Sequence, residues 1–94
     1  MLYKTALGHT IRSERLRQGK TLRDVCASAY ISLGYLSEIE LGKKELASEF
    51  LEQIAYALGM EAYELVMQTS LVMSGTSIPD TIDELLLVGD TITN

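Results

Sequence analysis

The sequence contains few of the residues from which enzymes, metal sites and secreted proteins are built. Its 94 residues include a single cysteine, Cys26, a single histidine, His9, one proline and no tryptophan. One cysteine cannot close a disulfide within the chain, and one cysteine with one histidine cannot form a zinc site from this chain alone. The glycines also lack a phosphate-cradling spacing. We therefore expect no catalytic residues, no metal and no other cofactor.

Long apolar runs are missing as well. No stretch approaches the roughly 20 apolar residues of a membrane span. The chain does not start with a basic segment followed by an apolar one, as a secretory signal does. We therefore expect a cytoplasmic protein with no membrane partner. An apolar fraction of 47% is ordinary for a folded chain, and this length suits one small domain with a short appendage.

Basic residues are absent from the second half of the chain. Residues 1–44 hold all eight lysines and arginines with four acidic residues, a formal charge of +4. Residues 45–94 hold nine acidic residues and no basic one, so the net charge of −5 hides a basic half. Such asymmetry indicates that one half faces a polyanion and the other faces away. Chance imbalance in a short chain is the alternative.

Helical signals run from about residue 5 to residue 69, and no alternating strand pattern competes with them. Thr21 and Asp24 predict a capping box, and Ser32 and Ser48 are the predicted N-caps of the next two helices. Glycines follow three of the apolar stripes and predict helix ends. The prediction is an all-α domain of five helices, at about Thr5–Gln18, Leu22–Ala29 and Leu33–Leu41, between residues 48 and 59, and at about Glu61–Thr69.

The character of the sequence changes after about Ser70. Residues 74–77 (Ser-Gly-Thr-Ser) predict a flexible break, and Pro79 and Asp80 begin a short amphipathic helix that ends near Val88. So short a helix should not persist alone in water, so its apolar face must dock on its own domain or on a partner chain. We expect a helical domain over residues 1–70 and a C-terminal dimerisation helix and tail over residues 71–94, disordered after residue 88.

Two short helices joined by a tight turn, over residues 22–41, fit a helix-turn-helix unit. The segments GKTL (19–22), GYLSEIELGK (34–43) and FLEQIAYALG (50–59) give this unit a strong resemblance to the XRE family of phage-repressor-type regulators. The resemblance covers about residues 7–66. The segments GKTLRDV (19–25) and SLGYLSE (32–38) are most similar to those of the ClgR group of actinobacterial regulators.

This resemblance implies a λ-repressor-like fold and a transcription regulator that binds a palindromic operator in double-stranded DNA as a homodimer. For the ClgR group it implies control of genes for Clp proteases and related proteolysis. RNA polymerase is a further partner that the resemblance allows. The acidic half leaves one alternative open, a protein-interaction module of the same fold, antitoxin-like or an adaptor.

In phage repressors the second helix of the unit enters the major groove, and its N-terminal residues meet the base edges. By resemblance, the base-reading residues of this chain are Leu33, Gly34, Tyr35, Ser37 and Glu38. Leu33 suits a thymine methyl group, and Glu38 can accept a hydrogen bond from a cytosine amino group.

Phosphate contacts should supply most of the affinity and its salt dependence. The expected phosphate-binding residues are Thr21, Arg23, Ser32, Lys43 and Lys44, with Arg12, Arg17 and Lys20 as weaker candidates. The family pattern further implies that Arg15 and Glu40 form a structural ion pair beneath the DNA-facing helices. Cys26 is expected to pack in the core.

Three residues depart from the family pattern. Leu22 replaces a glutamine that often reaches a phosphate, and Leu41 replaces a polar or basic residue. Tyr30 stands at a turn position that often holds glycine, where a bulky residue would be strained at positive φ. We therefore expect the turn to be built differently in this chain.

Overall fold

A computed structural model describes residues 1–75, and these residues form five α-helices and no strand. The predicted all-α, five-helix domain is confirmed. The predicted C-terminal helix and tail, residues 79–94, lie outside the described residues. The helices are α1 (Tyr3–Arg17), α2 (Leu22–Ala29), α3 (Leu33–Glu40), α4 (Ser48–Ala57) and α5 (Ala62–Met73).

The core takes a fully buried aliphatic side chain from every helix. Ile11, Val25, Leu36, Ile54 and Leu65 each have a relative exposure of 0%. Helix α1 packs against α3 and α5, and α2 packs against α3 and α4. The helix-turn-helix pair α2–α3 is therefore held from behind by the other three helices, which fixes the orientation of α3.

Local caps set the starts of α2 and α3 as predicted. The Thr21 hydroxyl accepts the Asp24 N–H at 3.0 Å, and the Asp24 carboxylate accepts the Thr21 N–H at 2.8 Å, which completes the capping box. The Ser32 hydroxyl accepts the Tyr35 N–H at 3.1 Å and caps α3. Each cap satisfies a backbone donor that a helix start leaves without a partner.

Helix α1 begins two residues before the predicted Thr5, and α3 ends one residue before the predicted Leu41. One predicted boundary of α4 and one of α5 are also wrong. Helix α4 has Ala47 as its N-cap and Ser48 as its first residue, so Ser48 caps nothing. Helix α5 continues to Met73 rather than ending near Thr69. Thr69 and Ser70 do not break the helix, because their hydroxyls donate to the carbonyls of Leu65 and Val66, one turn back, at 2.8 and 3.1 Å.

The turn between α2 and α3 places Tyr30 in the left-handed region, with φ 58° and ψ 44°. The expectation of a differently built turn is therefore wrong: a tyrosine adopts the conformation that glycine would adopt there. The Ile31 N–H reaches back to the Cys26 carbonyl at 3.3 Å and closes the end of α2. Satisfying the last carbonyls of α2 offsets the steric strain at Tyr30.

Candidate nucleic-acid interface

A buried ion pair fixes α3 to α1. Arg15 Nε and Nη2 donate to the two carboxylate oxygens of Glu40 at 2.8 and 2.9 Å, and Arg15 Nη1 donates to the Lys20 carbonyl at 2.9 Å. The two side chains are only 8% and 2% exposed. The hydrogen bonds that Arg15 donates to the Glu40 carboxylate raise the pKa of Arg15 above its ordinary value. The pair that the resemblance implies thus forms, and it joins the scaffold helix to the C-terminal end of α3.

Opposite faces of α3 have opposite surroundings. Leu36 and Ile39 are buried, at 0% and 1% exposure, whereas Leu33, Gly34 and Glu38 are exposed. A Cβ placed on Gly34 would meet no atom within 4 Å. The exposed face therefore presents the predicted base-reading positions together, with open space in front of the first turn.

Tyr35 and Ser37 are only partly exposed. The Ala47 N–H donates to the Tyr35 hydroxyl at 3.0 Å, and the Tyr35 ring meets Phe50 edge to face at a centroid distance of 5.4 Å. Tyr35 therefore positions the start of α4, a role that sequence reasoning missed. Its hydroxyl proton is still able to donate to a DNA acceptor, because a phenol both donates and accepts.

The predicted phosphate-binding residues lie at the rims of α2 and α3. Thr21 and Ser32 each accept a backbone N–H through their hydroxyl oxygens, which leaves their hydroxyl protons for an outside acceptor. Arg23, Lys43 and Lys44 are exposed. The N-termini of α2 and α3 add backbone donors and partial positive charge beside them.

Two of the weaker phosphate candidates have contacts inside the protein. Lys20 Nζ donates to the Ala57 carbonyl at 2.8 Å, at the C-terminal end of α4. Arg17 pairs with Glu14. The Lys20 contact joins the segment after α1 to α4, whereas the Arg17–Glu14 pair lies within α1. Arg12 is exposed and is the weaker candidate with no such contact among residues 1–75.

Lys44 and Glu38 meet beside α3. Lys44 Nζ lies 3.5 Å from Glu38 Oε2 and 5.6 Å from the centroid of the Tyr35 ring. A cleft of about 410 Å³ opens at this point, lined by Tyr30, Ile31, Ser32, Gly34, Tyr35, Glu38, Lys44 and Phe50. Three of these residues, Gly34, Tyr35 and Glu38, are predicted base-reading residues, and Ser32 is the N-cap of their helix. Sequence reasoning placed Glu38 and Lys44 separately and did not predict their contact.

The remaining reactive side chains do not form a site within residues 1–75. Burial, with the nearby Glu40 charge, raises the pKa of the Cys26 thiol. His9 contacts Ser13 at 3.5 Å on the exposed side of α1. No three metal-ligating side chains come together in this part of the chain, and none of its helices has the length and apolarity of a bilayer span.

Comparison with known families gives a match over most of the chain. The family model described as a helix-turn-helix domain matches residues 6–65. The transcriptional regulator ClgR of Mycobacterium tuberculosis is 53% identical over 57 residues, which are 61% of this chain and 51% of that protein. The chain thus spans about half the length of the curated relatives it matches.

Solved structures agree with this match. The clp gene regulator ClgR from Corynebacterium glutamicum has a TM-score of 0.75 at 38% identity, over 79% of each chain. The restriction-modification controller protein C.AhdI from Aeromonas hydrophila has a TM-score of 0.64 at 21% identity, over 66% of this chain and 94% of that one, and shows the shared fold alone. The resemblance to ClgR-type helix-turn-helix regulators and the predicted fold class are confirmed.

Proposed function

Because this chain belongs to the helix-turn-helix domain family, we propose that it is a transcription regulator that binds operator DNA through α3 as a homodimer. Its similarity to regulators named for the clp genes supports control of Clp protease genes as the function. The setting is the cytoplasm, and RNA polymerase is the partner through which a bound regulator would act.

One observation carries the proposal: α3 turns Leu33, Gly34 and Glu38 outward together while the buried Arg15–Glu40 pair fixes the helix from behind. A rigid helix that presents short and mixed side chains over open space suits the major groove, where each base pair offers a distinct pattern of donors, acceptors and methyl groups. Within this assignment Leu33, Gly34, Tyr35, Ser37 and Glu38 read bases, and Thr21, Arg23, Ser32, Lys43 and Lys44 bind phosphates.

Charge supports the same orientation. The described acidic residues after position 44 are Glu45, Glu49, Glu52, Glu61 and Glu64, and no basic residue accompanies them. All the basic residues lie on α1, on α2, in the turn between them and in the loop after α3. The positive charges of residues 1–44 would therefore attract a DNA duplex, and the negative charges after position 44 would repel it.

The first test is the salt dependence of duplex binding. We expect the logarithm of the association constant to fall linearly with the logarithm of the salt concentration, with a slope of about −0.9 for each phosphate contact. Arg23→Gln should reduce this slope by about one unit. Arg12→Gln, which changes another exposed arginine, on α1, should reduce it less. Wild-type protein without salt-dependent duplex binding would favour the protein-interaction module instead.

The second test locates the recognition helix. Selection of bound duplexes from a random pool should give a palindromic consensus whose half-sites lie about 34 Å apart. The same selection with Glu38→Ala should relax the preference at one base pair in each half-site. An unchanged consensus would refute the assignment of α3 to the bases.

The dimer proposal depends on the outward face of α5. Tyr63, Met67 and Met73 are exposed, and Val66 and Leu71 are partly exposed. The spacing of Tyr63, Val66, Met67 and Met73 places them along one helical stripe. We infer that this stripe, continued by the apolar residues of 71–94, pairs two chains. Sedimentation equilibrium of Met67→Glu should show a weaker dimer, whereas Gln53→Glu, a change at a half-buried position on α4, should not alter it.

A further inference from the structure

We propose that Lys44 is a positioning residue for sequence reading, and that it neutralises and orients the Glu38 carboxylate rather than serving only as a phosphate-binding residue. This inference depends on the proposed function, because it concerns how the same interface reads a base. It separates Lys44 from its neighbour Lys43, to which the sequence assigns the same role.

A carboxylate that faces DNA is in an unfavourable field. The phosphates repel it, so a nearby positive charge favours the hydrogen bond that it accepts from a base. Glu38 stands on the exposed face of α3, and its side chain is 51% exposed. Lys44 Nζ lies 3.5 Å from its Oε2. Lys44 therefore offsets the charge at Oε2 and leaves Oε1 available as an acceptor for a base.

The position of Lys44 is fixed by contacts on both sides. The Lys43 N–H donates to the Glu38 carbonyl at 3.0 Å, which holds the start of this loop against the end of α3. The ammonium group of Lys44 lies 5.6 Å from the centroid of the Tyr35 ring, within the range of a cation–π contact. That ring is itself held by the Ala47 N–H and by Phe50.

The pair gains importance when DNA is bound. Between exposed side chains in water an ion pair contributes little to stability, because solvent screens it. A duplex seated on α3 excludes that solvent, and the attraction between the two charges then grows as the effective dielectric constant falls. Lys43 is also exposed, but among residues 1–75 its side chain contacts no carboxylate.

Lys43 therefore provides a matched control. We would measure the affinities of wild type, Lys44→Met, Lys43→Met, Glu38→Gln and the double variant Glu38→Gln/Lys44→Met. The duplexes would be the selected site and its three single-base variants at the position that Glu38 reads. Methionine keeps the aliphatic chain over Tyr35 and removes the charge. Thermal melting would establish that each variant is folded.

Lys44→Met should reduce discrimination among the four duplexes by about fivefold, the lower end of what a base contact contributes. Lys43→Met should weaken all four equally. Glu38→Gln should remove the effect of Lys44→Met on discrimination, so the double variant should match Glu38→Gln in that respect. The inference is overturned if Lys43→Met and Lys44→Met give the same uniform loss. Wild-type protein that binds no duplex would instead overturn the proposed function.

Discussion

Among residues 1–75, Tyr30 is the one non-glycine residue with positive φ, and its side chain is 84% exposed. Left-handed backbone costs a non-glycine residue roughly 1–2 kcal/mol, and so exposed a ring recovers little of this by burial. Glycine would relieve the strain but would lose more entropy on folding, roughly 0.5–1 kcal/mol.

We therefore predict that Tyr30→Gly stabilises the protein by up to about 1 kcal/mol in chemical denaturation. Tyr56→Gly is the matched control, because Tyr56 is 77% exposed but lies inside α4. There glycine should destabilise by roughly 0.5 kcal/mol, because its helix propensity is lower than that of tyrosine. Two changes of the same sign would show that backbone conformation at Tyr30 does not decide the outcome.

Arg15 and Glu40 illustrate a different residue-scale effect, the dependence of a buried charge on its partner. Arg15→Met would leave the Glu40 carboxylate buried without its bidentate donor, and we expect a loss of about 3–5 kcal/mol in unfolding free energy. The double variant Arg15→Met/Glu40→Leu should recover much of this loss, because no buried charge then remains. A loss below about 1 kcal/mol for the single variant would mean that the pair behaves like an exposed one.

Helix α3 combines two demands at Gly34. In a helix interior, glycine is less stabilising than alanine by about 0.5–1 kcal/mol. A Cβ added at Gly34 would meet no atom within 4 Å, so the protein has room for alanine there. We predict that Gly34→Ala raises the unfolding free energy by roughly 0.5 kcal/mol while it weakens binding to the selected duplex. The physical reason is that the added methyl group blocks close approach to the DNA.

Denaturation and DNA titration of the same preparation would check both halves of this prediction. Gly8→Ala provides the contrast, because its Cβ would lie 2.1 Å from the Ile39 carbonyl oxygen and should destabilise the packing of α1 on α3. If Gly34→Ala binds DNA as tightly as wild type, the first turn of α3 does not lie against the duplex.

The end of α1 is joined to the end of α4 through the Gln18 side-chain amide, which the Glu14 carboxylate also binds. Gln18 Nε2 donates both to Glu14 Oε1 at 2.9 Å and to the Leu58 carbonyl at 2.7 Å. Burial opposes ionisation of Glu14, but hydrogen bonds from Arg17 and Gln18, with the nearby positive charges, outweigh it and lower its pKa below the ordinary 4.5.

The lowered pKa of Glu14 predicts acid sensitivity. A carboxyl whose folded-state pKa is depressed contributes stability that is present above its unfolded pKa and is lost as the pH falls through the folded value. Stability should therefore decline below about pH 4.5, and Glu14→Gln should reduce this decline. The test is to measure the unfolding free energy of wild type and of Glu14→Gln at pH 7 and pH 3. If both proteins lose the same amount of stability, Glu14 is not the cause of the acid sensitivity.

The elements divide into those that local sequence determines and those that tertiary contacts determine. The bounds of α2 and the cap of α3 were predictable, because Thr21, Asp24 and Ser32 act within one turn. The start of α4 was not, because the Ala47 N–H finds its acceptor on Tyr35, 12 residues earlier. The pairing of Lys44 with Glu38 likewise depends on the path of the loop after α3, and periodicity carries no information on that path.

At the scale of the whole molecule, charge and apolar surface are separated. The basic residues accompany the helix-turn-helix unit, and the exposed apolar stripe of α5 lies in the acidic half of the chain. A dimer formed through the acidic halves would direct two basic faces toward one duplex. Pairing at α5 and reading at α3 would then use different surfaces of one rigid domain.

Truncation after Gly75 tests how the chains pair. The cut leaves all five described helices intact, which a cut after Ser70 would not, because α5 continues to Met73. We predict that the shortened chain keeps its melting transition but dimerises more weakly in sedimentation equilibrium, because it lacks the apolar residues Ile82, Leu85 and Leu86 that the proposed pairing would use. It should bind the palindromic duplex more weakly than the full chain, yet bind a single half-site at least as well, because four acidic residues are removed. A shortened chain with the same dimer mass and the same affinity for the palindrome would assign pairing to residues 1–75 alone.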